Sequence, residues 1–413
     1  MIFPGIGQST EDNPLHQTVD WRELEQYQYW ITQETFRERL KLYSPEGEIH
    51  NYLEFLGDKS ATLFEDTEKQ TPIWRFRFLS KGEGPERPIE FARDSIASIR
   101  GATFEKPLSG LRICLDPGHI GGKWANIEER YFRIGKHPPV QEGDLTLLTA
   151  QLLAKRLEAV GAEVVWTKKE AEPVTSFRPK DFNIEALERA VETKKYFTSK
   201  RYSFLTQWYR EFLFYRVAEI FARSKKVEKL QPDFTLCLHY NAAPWRGRRP
   251  RLFNVRKIVT FVHGAYMSDE LESLPQRLAL FHKLFENSSP LEIELATAIT
   301  NEMKEVWQIG PENYAGSGIA YQVSESPYVW SRNVVANRTF PGPVIFVEGP
   351  YMNDKETFYR LIAGDYDGIR TIRGKTYRSI FREFADGVAD GLIDYYRKHL
   401  IQVDSAKPIT DQH

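Results

Sequence analysis

The sequence predicts an α/β fold: a mostly parallel twisted sheet flanked by helices, with a small N-terminal α+β subdomain. Three observations carry that expectation. After Gly110, short apolar runs alternate with helical stretches: LRICLD, then Glu142 to Val160, then AEVVWT. Three apolar runs, ending at Leu115, Leu238 and Val347, pass straight into polar residues, as strands do when they deliver side chains beyond the edge of an open sheet. Before Arg93 the pattern differs, with one helix-like stretch, WITQETFRERLKLY, and the strand-like pieces TLFED and IWRFRFL between polar turns. The 413 residues, with 41% hydrophobic, 13% aromatic and 27% charged side chains, exclude a disordered or collagenous chain. With 56 basic against 57 acidic side chains, no global field favours nucleic acid. Two cysteines cannot build a disulfide framework or a cysteine-rich metal site.

The elements follow in order. Residues 1–105 comprise a turn-rich arm, to about residue 20, and the small α+β subdomain, in which ATLFEDTEKQTPIWRFRFL is read as a hairpin. Residues 106–400 form the main domain. Its first unit is βαβ: strand LRICLD, a helix with Leu145, Leu148, Leu152 and Val160 on one face and Gly161 as its C-cap, and a parallel strand AEVVWT. A charged, aromatic-rich helical insertion occupies about 170–231. Further strands read at FTLCLHY, KIVTFVHG and PVIFVEG, and helices at Leu291 to Trp307 and Thr376 to His399, the last with Ile380, Phe384, Val388 and Leu392 on one face. Residues 401–413 are a tail. No apolar run reaches the roughly 18 residues of a membrane span, and the first residues show no basic, apolar and small-residue succession of a secretory signal.

The strand ends concentrate the chemistry. Asp116 and His119 follow the first run, His239 and Asn241 the second, and Glu348 the third, while Glu142 opens the helix after the first strand. Two imidazoles, one ligating carboxylate and one spare carboxylate make a mononuclear zinc hydrolase set, with a position open for water and a general base beside it. Successive separations of 23, 97 and 109 residues from His119 through Glu142 and His239 to Glu348 exclude a single-helix device. Asp116 is read as a hydrogen-bonding strand-end residue, and Cys114 and Cys237 as buried thiols. His137, in the loop 121–141, is read first as a solvated histidine and second as a substrate contact or a competing ligand. The run WRGRRPRLFNVRK gathers Arg246, Arg248, Arg249, Arg251 and Arg256, a solvated loop or, at a cleft rim, a binder of anionic peptide.

LDPGHIGG, QEGDLTLLTAQLLAKRLEAVGAEVVWTK, PDFTLCLHYNA and PVIFVEGPYMND, in that order, resemble the motifs of zinc-dependent N-acetylmuramoyl-L-alanine amidases of the AmiC-like kind, over about residues 110–397. The resemblance implies one Zn2+ held by His119, Glu142 and His239, with Glu348 as catalytic carboxylate. It also implies hydrolysis of the amide between N-acetylmuramic acid and L-alanine in peptidoglycan or its fragments, and hence a periplasmic or extracytoplasmic place. Asn241, Arg246 and His137 are candidate substrate contacts. The chain departs from the pattern in a longer 121–141 loop and in Glu348-Gly349-Pro350-Tyr351-Met352-Asn353, where the family commonly runs into Gly-Phe and Asn. Two other readings stand beside this one: a zinc peptidase or amidase acting on a different peptide-like substrate, and a noncatalytic peptidoglycan-binding protein on the same fold.

Overall fold

The computed structural model describes residues 14–15, 19–80, 101–193, 199–247 and 249–406. Most of the expected N-terminal arm and the end of the tail, as well as Arg248, lie outside these residues. Helix α1 (Gln33–Tyr43) starts where the Thr32 hydroxyl accepts the Thr35 amide, and it packs on an antiparallel sheet of β1 (Leu53–Leu56), β2 (Ser60–Phe64) and β3 (Pro72–Arg77). The expected hairpin is β2–β3, and β1 adds a strand that its mixed sequence LEFL did not announce.

The main domain is built on β4 (Arg112–Pro117), β5 (Tyr131–Phe132), β6 (Val140–Gln141), α2 (Glu142–Ala159) and β7 (Glu163–Trp166). The insertion follows as α3 (Asn183–Glu192), α4 (Ser199–Phe212), a π-helical turn (Leu213–Ala218) and α5 (Glu219–Leu230). Next come β8 (Phe234–Tyr240), β9 (Lys257–Val262), α6 (Leu274–Glu286), α7 (Ser289–Trp307), β10 (Gly310–Pro311), β11 (Tyr321–Gln322), β12 (Val329–Ser331), α8 (Val335–Thr339) and β13 (Val344–Gly349). The chain closes with α9 (Lys355–Leu361), the hairpin β14 (Arg370–Ile372) and β15 (Lys375–Tyr377), and α10 (Ile380–Ala406). The main sheet has the order β11-β12-β9-β13-β8-β4-β7, with β10 on β9. β7, β4, β8 and β13 run parallel, as expected of apolar strands linked through helices, whereas β9 is antiparallel to β13.

Both faces are covered. Ile113, Leu115, Leu236, Leu238, Ile345 and Val347 meet α2, α7 and α10 on one face. Cys114, Cys237, Phe261, Trp330 and Phe346 meet α5 and α8 on the other. This strict alternation sets which strand residues reach the site. The expected stripe of α2 is displaced: Leu145, Leu148, Leu152 and Val160 are partly buried, while Thr146, Thr149, Ala150, Leu153 and Leu157 lie deepest. The helix is wedged between the sheet and α10, to which Arg156 is bonded through Asp390 at 2.5 Å, so its buried arc is centred between the two contacts. The last helix begins at Ile380 rather than Thr376 because Lys375–Tyr377 pairs with Arg370–Ile372, and it continues to Ala406.

The N-terminal subdomain does not close its own core. Phe36, Trp74 and Phe76 pack with Phe281 and Phe285 of α6, and Phe36 stacks on Phe281 with ring centroids 6.2 Å apart. The α7–α10 contact is as close as helices allow: a Cβ on Gly391 would lie 2.6 Å from the Ile299 Cα and 2.8 Å from the Ala298 carbonyl oxygen. Gly391→Val therefore forces the two backbones apart, and urea unfolding is expected to show a loss of about 2–3 kcal/mol. Gly310→Ala, whose added carbon meets nothing nearer than 4.0 Å, is expected to stay within about 0.5 kcal/mol of the parent protein.

Candidate metal centre and its cavity

β8 and β13 pair in register, so His239 and Glu348 stand side by side at the carboxyl ends of neighbouring parallel strands and on the same face. The loop after β4 then brings His119 over them. Pro117 is the last residue of β4, and Gly118 follows, its amide bonded to the Leu238 carbonyl at 2.9 Å. A Cβ on Gly118 would fall 2.3 Å from a ring carbon of His239, so only glycine lets the loop lie against that imidazole. His119 itself takes φ 60°, a left-handed conformation unusual for a side-chain-bearing residue. Its carbonyl accepts from Arg223 Nη2 at 2.9 Å, and the Pro117 carbonyl accepts from Arg223 Nη1 at 2.9 Å, which holds the turn.

Glu142, the first residue of α2, completes the group. Its Oε1 lies 3.0 Å from His239 Nδ1 and accepts the Tyr240 amide at 3.2 Å, and its Oε2 lies 3.3 Å from His119 Nε2. One donor atom from each of His119, Glu142 and His239 falls within 4.8 Å of the others, a grouping able to hold a metal ion. The imidazole planes are near perpendicular, at 81°, and His239 stacks on Phe346 with centroids 4.2 Å apart. Oε2 of Glu348 is buried and has no hydrogen-bond partner among the described residues.

The electrostatics follow from burial and from these contacts. Burial alone raises the Glu142 carboxyl, but the His119 charge and the bonds to both imidazoles outweigh it and hold the group well below the usual carboxylate range. His119 is pushed down by burial and lifted more strongly by Glu142 and Glu128, to about 9. His239, for which burial dominates, is lowered. Glu348 is raised, first by burial and then by the Glu142 charge beside it. The residues fit a divalent cation: two nitrogen donors and one carboxylate oxygen converge, a further carboxylate lacks a partner, and the Arg130 guanidinium already reaches both donor atoms, with Nε 3.3 Å from His119 Nε2 and 3.3 Å from Glu142 Oε2.

Asp116 accepts from Thr167 Oγ1 at 2.5 Å and from Arg223 at 3.1 Å, and so is engaged below the group rather than in it. Cys114 and Cys237 are buried free thiols. Asn241 lines the cavity, with its Oδ1 accepting the Ala242 amide at 2.8 Å. Arg246 is exposed and absent from the cavity wall. His137 is also absent from it; its ring is half-buried with its edge toward Phe358 and Tyr359, 5.6 and 5.7 Å between centroids.

Sequence reasoning missed the layer beneath. Glu128 accepts the Ile120 and Gly121 amides at 2.9 and 3.1 Å and lies 3.5 Å from His119 Nδ1. Arg223, 1% exposed, bonds Asp116, Glu219 and the two loop carbonyls, and Glu219 in turn accepts the Val174 amide at 2.8 Å. The i,i+4 pair Glu219/Arg223 within an otherwise apolar helix face was the available signal.

Fold and site define an α/β protein with a two-histidine, one-carboxylate candidate metal centre. No protein-family model and no curated protein matches the chain. Among solved structures it is similar to the N-acetylmuramoyl-L-alanine amidase AmiC2 of Nostoc punctiforme, at 16% identity over 70% of this chain and 98% of that one, with TM-score 0.36. It is similar also to the N-acetylmuramyl-L-alanine amidase Ami1 of Mycobacterium smegmatis (12% identity, 70% and 98% covered, TM-score 0.37) and to the catalytic domain of CwlV, an N-acetylmuramoyl-L-alanine amidase of Bacillus (Paenibacillus) polymyxa (14%, 69% and 97%, TM-score 0.36).

Arg223→Met would remove the ion-pair partner of the buried Asp116 and Glu219 and free the His119 turn. Chemical denaturation is expected to show a loss of about 3–5 kcal/mol, against less than about 1 kcal/mol for Lys225→Met, whose ion pair with Glu228 is exposed.

Proposed function

We propose that the chain is a zinc-dependent amide hydrolase that cleaves the bond between N-acetylmuramic acid and L-alanine in peptidoglycan or its fragments. The observation that carries the hydrolytic reading is the convergence of His119, Glu142 and His239 donor atoms within 4.8 Å, beside a Glu348 oxygen buried without a partner. The substrate rests on the resemblance of the four ordered motifs, LDPGHIGG through PVIFVEGPYMND. An extracytoplasmic place follows from that substrate and belongs to the same proposal. No helix among the described residues is long and apolar enough to cross a membrane.

His119, Glu142 and His239 would hold the ion. When bound, a zinc ion supplies Lewis acidity, which makes water a nucleophile near neutral pH and polarises a carbonyl. The chain's own residues do the rest. Glu348 accepts a proton from the water that attacks the amide carbon, and then returns it to the departing nitrogen as the C–N bond breaks, leaving a carboxylic acid and an amine. Its raised proton affinity suits a group that must both take and give. Glu128 and Arg223 keep His119 in place, one at the ring and the other at the backbone.

Metal analysis and mass spectrometry of digested muropeptides test the reading together. The protein is expected to bind one zinc per chain and to release peptides with a free L-alanine amino terminus. His119→Ala and His239→Ala are expected to lose the metal. Glu348→Gln is expected to keep it while turnover falls by about 100- to 10,000-fold. Near-parental cleavage by Glu348→Gln removes that residue from the mechanism, and a protein that takes up no zinc removes the whole reading in favour of a noncatalytic binder.

A further inference from the structure

Three stretches of chain leave the main sheet at the edge where the candidate centre stands, and together they carry a basic surface outside its cavity. The loop after β4 contains the β5–β6 hairpin, which starts at Tyr131, immediately after Arg130, and ends at Gln141, immediately before Glu142. The loop after β8 runs from Asn241 to Arg256, and the chain after β13 leads into α9 and the β14–β15 hairpin. Aromatic contacts fasten the three together. Phe132 meets Trp245 and Phe358 with centroids 5.8 and 6.2 Å apart. Tyr359 takes the edge of His137 from one hairpin and the guanidinium of Arg373 from the turn of the other, its carbon 4.3 Å from the ring centroid. Asn353 pins the arginine loop at both ends: its side chain bonds Ala243 in both directions, at 2.9 and 2.6 Å, and its carbonyl accepts the Phe253 amide at 2.8 Å.

The charges on this surface are all of one sign. Arg133 and Lys136 of the first hairpin, Arg246, Arg249 and Arg251 of the arginine loop, and Arg373 are exposed, and none lines the cavity of the centre. Among the described residues no carboxylate lies within ion-pair distance of any of them, whereas exposed cations elsewhere have one: Lys41 has Glu38, Lys123 has Glu172 and Lys225 has Glu228. The acids at the margin are engaged. Glu356 faces Arg256 and Lys375, and Asp354 accepts the amides of Val255, Glu356 and Thr357. In a chain whose formal net charge is −1, such a surface is a strong local excess. Its shape selects among anions. The cations stand in loops and turns that reach outward, and Tyr131 and Arg133, on either side of the buried Phe132, are both exposed. Guanidinia beside an exposed tyrosine suit the headgroup layer of a bilayer, where the charges meet anionic lipid and the amphipathic ring lies at the boundary. A strand of polyanion is instead tracked by a groove.

We propose that this surface docks on a bilayer containing anionic lipid. Because the three stretches spring from the sheet edge that also bears His119, His239 and Glu348, docking holds the cavity close to the lipid headgroups. The proposal is independent of the hydrolytic reading, since it requires neither metal nor substrate.

The test is flotation of the full chain with vesicles of phosphatidylcholine alone, or with about a third of the lipid replaced by phosphatidylglycerol. Binding is expected to the anionic vesicles and not to the neutral ones, and it is expected to weaken steeply as salt rises from about 0.05 to 0.5 M. Each cation near an anionic bilayer strengthens binding about fivefold. The combined Arg246→Gln, Arg249→Gln and Arg251→Gln variant is therefore expected to bind roughly 100-fold more weakly, and the combined Arg133→Gln and Lys136→Gln variant, on a different loop, roughly 25-fold. Lys41→Gln with Lys225→Gln, which removes ion-paired cations from other parts of the surface, is expected to bind as the parent does. Equal binding of the parent to both vesicle types, binding to neither, or an equal loss in the Lys41 and Lys225 variant overturns the proposal. Where one of the two basic-surface variants fails to fold, the other and the parent's lipid preference decide. Capture of soluble polyphosphate without binding to vesicles overturns it in favour of an anionic polymer. Zinc uptake and amide cleavage are read separately, so none of these outcomes bears on the hydrolytic reading.

Discussion

Two buried carboxylates facing one pocket set the terms for everything around them. Glu142 and Glu348 come from a helix start and a strand end, and each raises the cost of charging the other. Burial of such a pair is tolerable only where positive or protonated groups are held against it with little freedom to move away. His119, His239 and Arg130 meet that demand around Glu142, whereas Glu348 keeps an oxygen with no partner among the described residues. The rest of the site can be understood as support for that arrangement. The β8–β13 register places His239 against Glu348, a glycine lets the β4 loop touch the His239 ring, and Arg223 pins the strained turn at His119 from below.

How much of this was legible depended on whether the information was local. An apolar run that breaks into His or Glu announces a strand end, so β4, β8 and β13 and their terminal residues could be read directly, as could Glu142 at the start of an amphipathic helix. The supporting charges could not. Arg223 meets Asp116 across 107 residues, and Glu128 sits in a loop whose polar, aromatic text gives no sign that its carboxylate will be 2% exposed. Clustering in sequence was a poor guide to clustering in space. The arginine run at 246–256 attracts attention because its charges are adjacent, but adjacent residues in a loop diverge into solvent. Arg332 and Arg338, each alone in its stretch, reach the cavity because of strand parity and the placement of a short helix. Antiparallel β9 was likewise invisible, since an apolar strand reads the same in both directions.

The same strand parity decides what else faces the cavity. Side chains alternate between faces, so the residues sharing a face with His239 and Glu348 are Phe346 before them, Phe261 across from it, and Arg332 two residues after Trp330, the partner of Phe261 in register. Along this face the cavity wall presents His239 and Glu348, then the Phe346 and Phe261 rings, then Arg332.

The same geometry gives the N-terminal subdomain a mechanical connection to the cavity. Consecutive residues of α6 face opposite ways: Arg277, 1% exposed, bonds the carbonyls of Phe64 and Glu65 in that subdomain at 2.5 and 2.9 Å, while Gln276 accepts from Asn333, which in turn accepts from Arg338. The helix is seated by Phe281 and Phe285 in the aromatic core that Phe36, Trp74 and Phe76 supply. The His119 turn is braced separately, from α5 through Arg223.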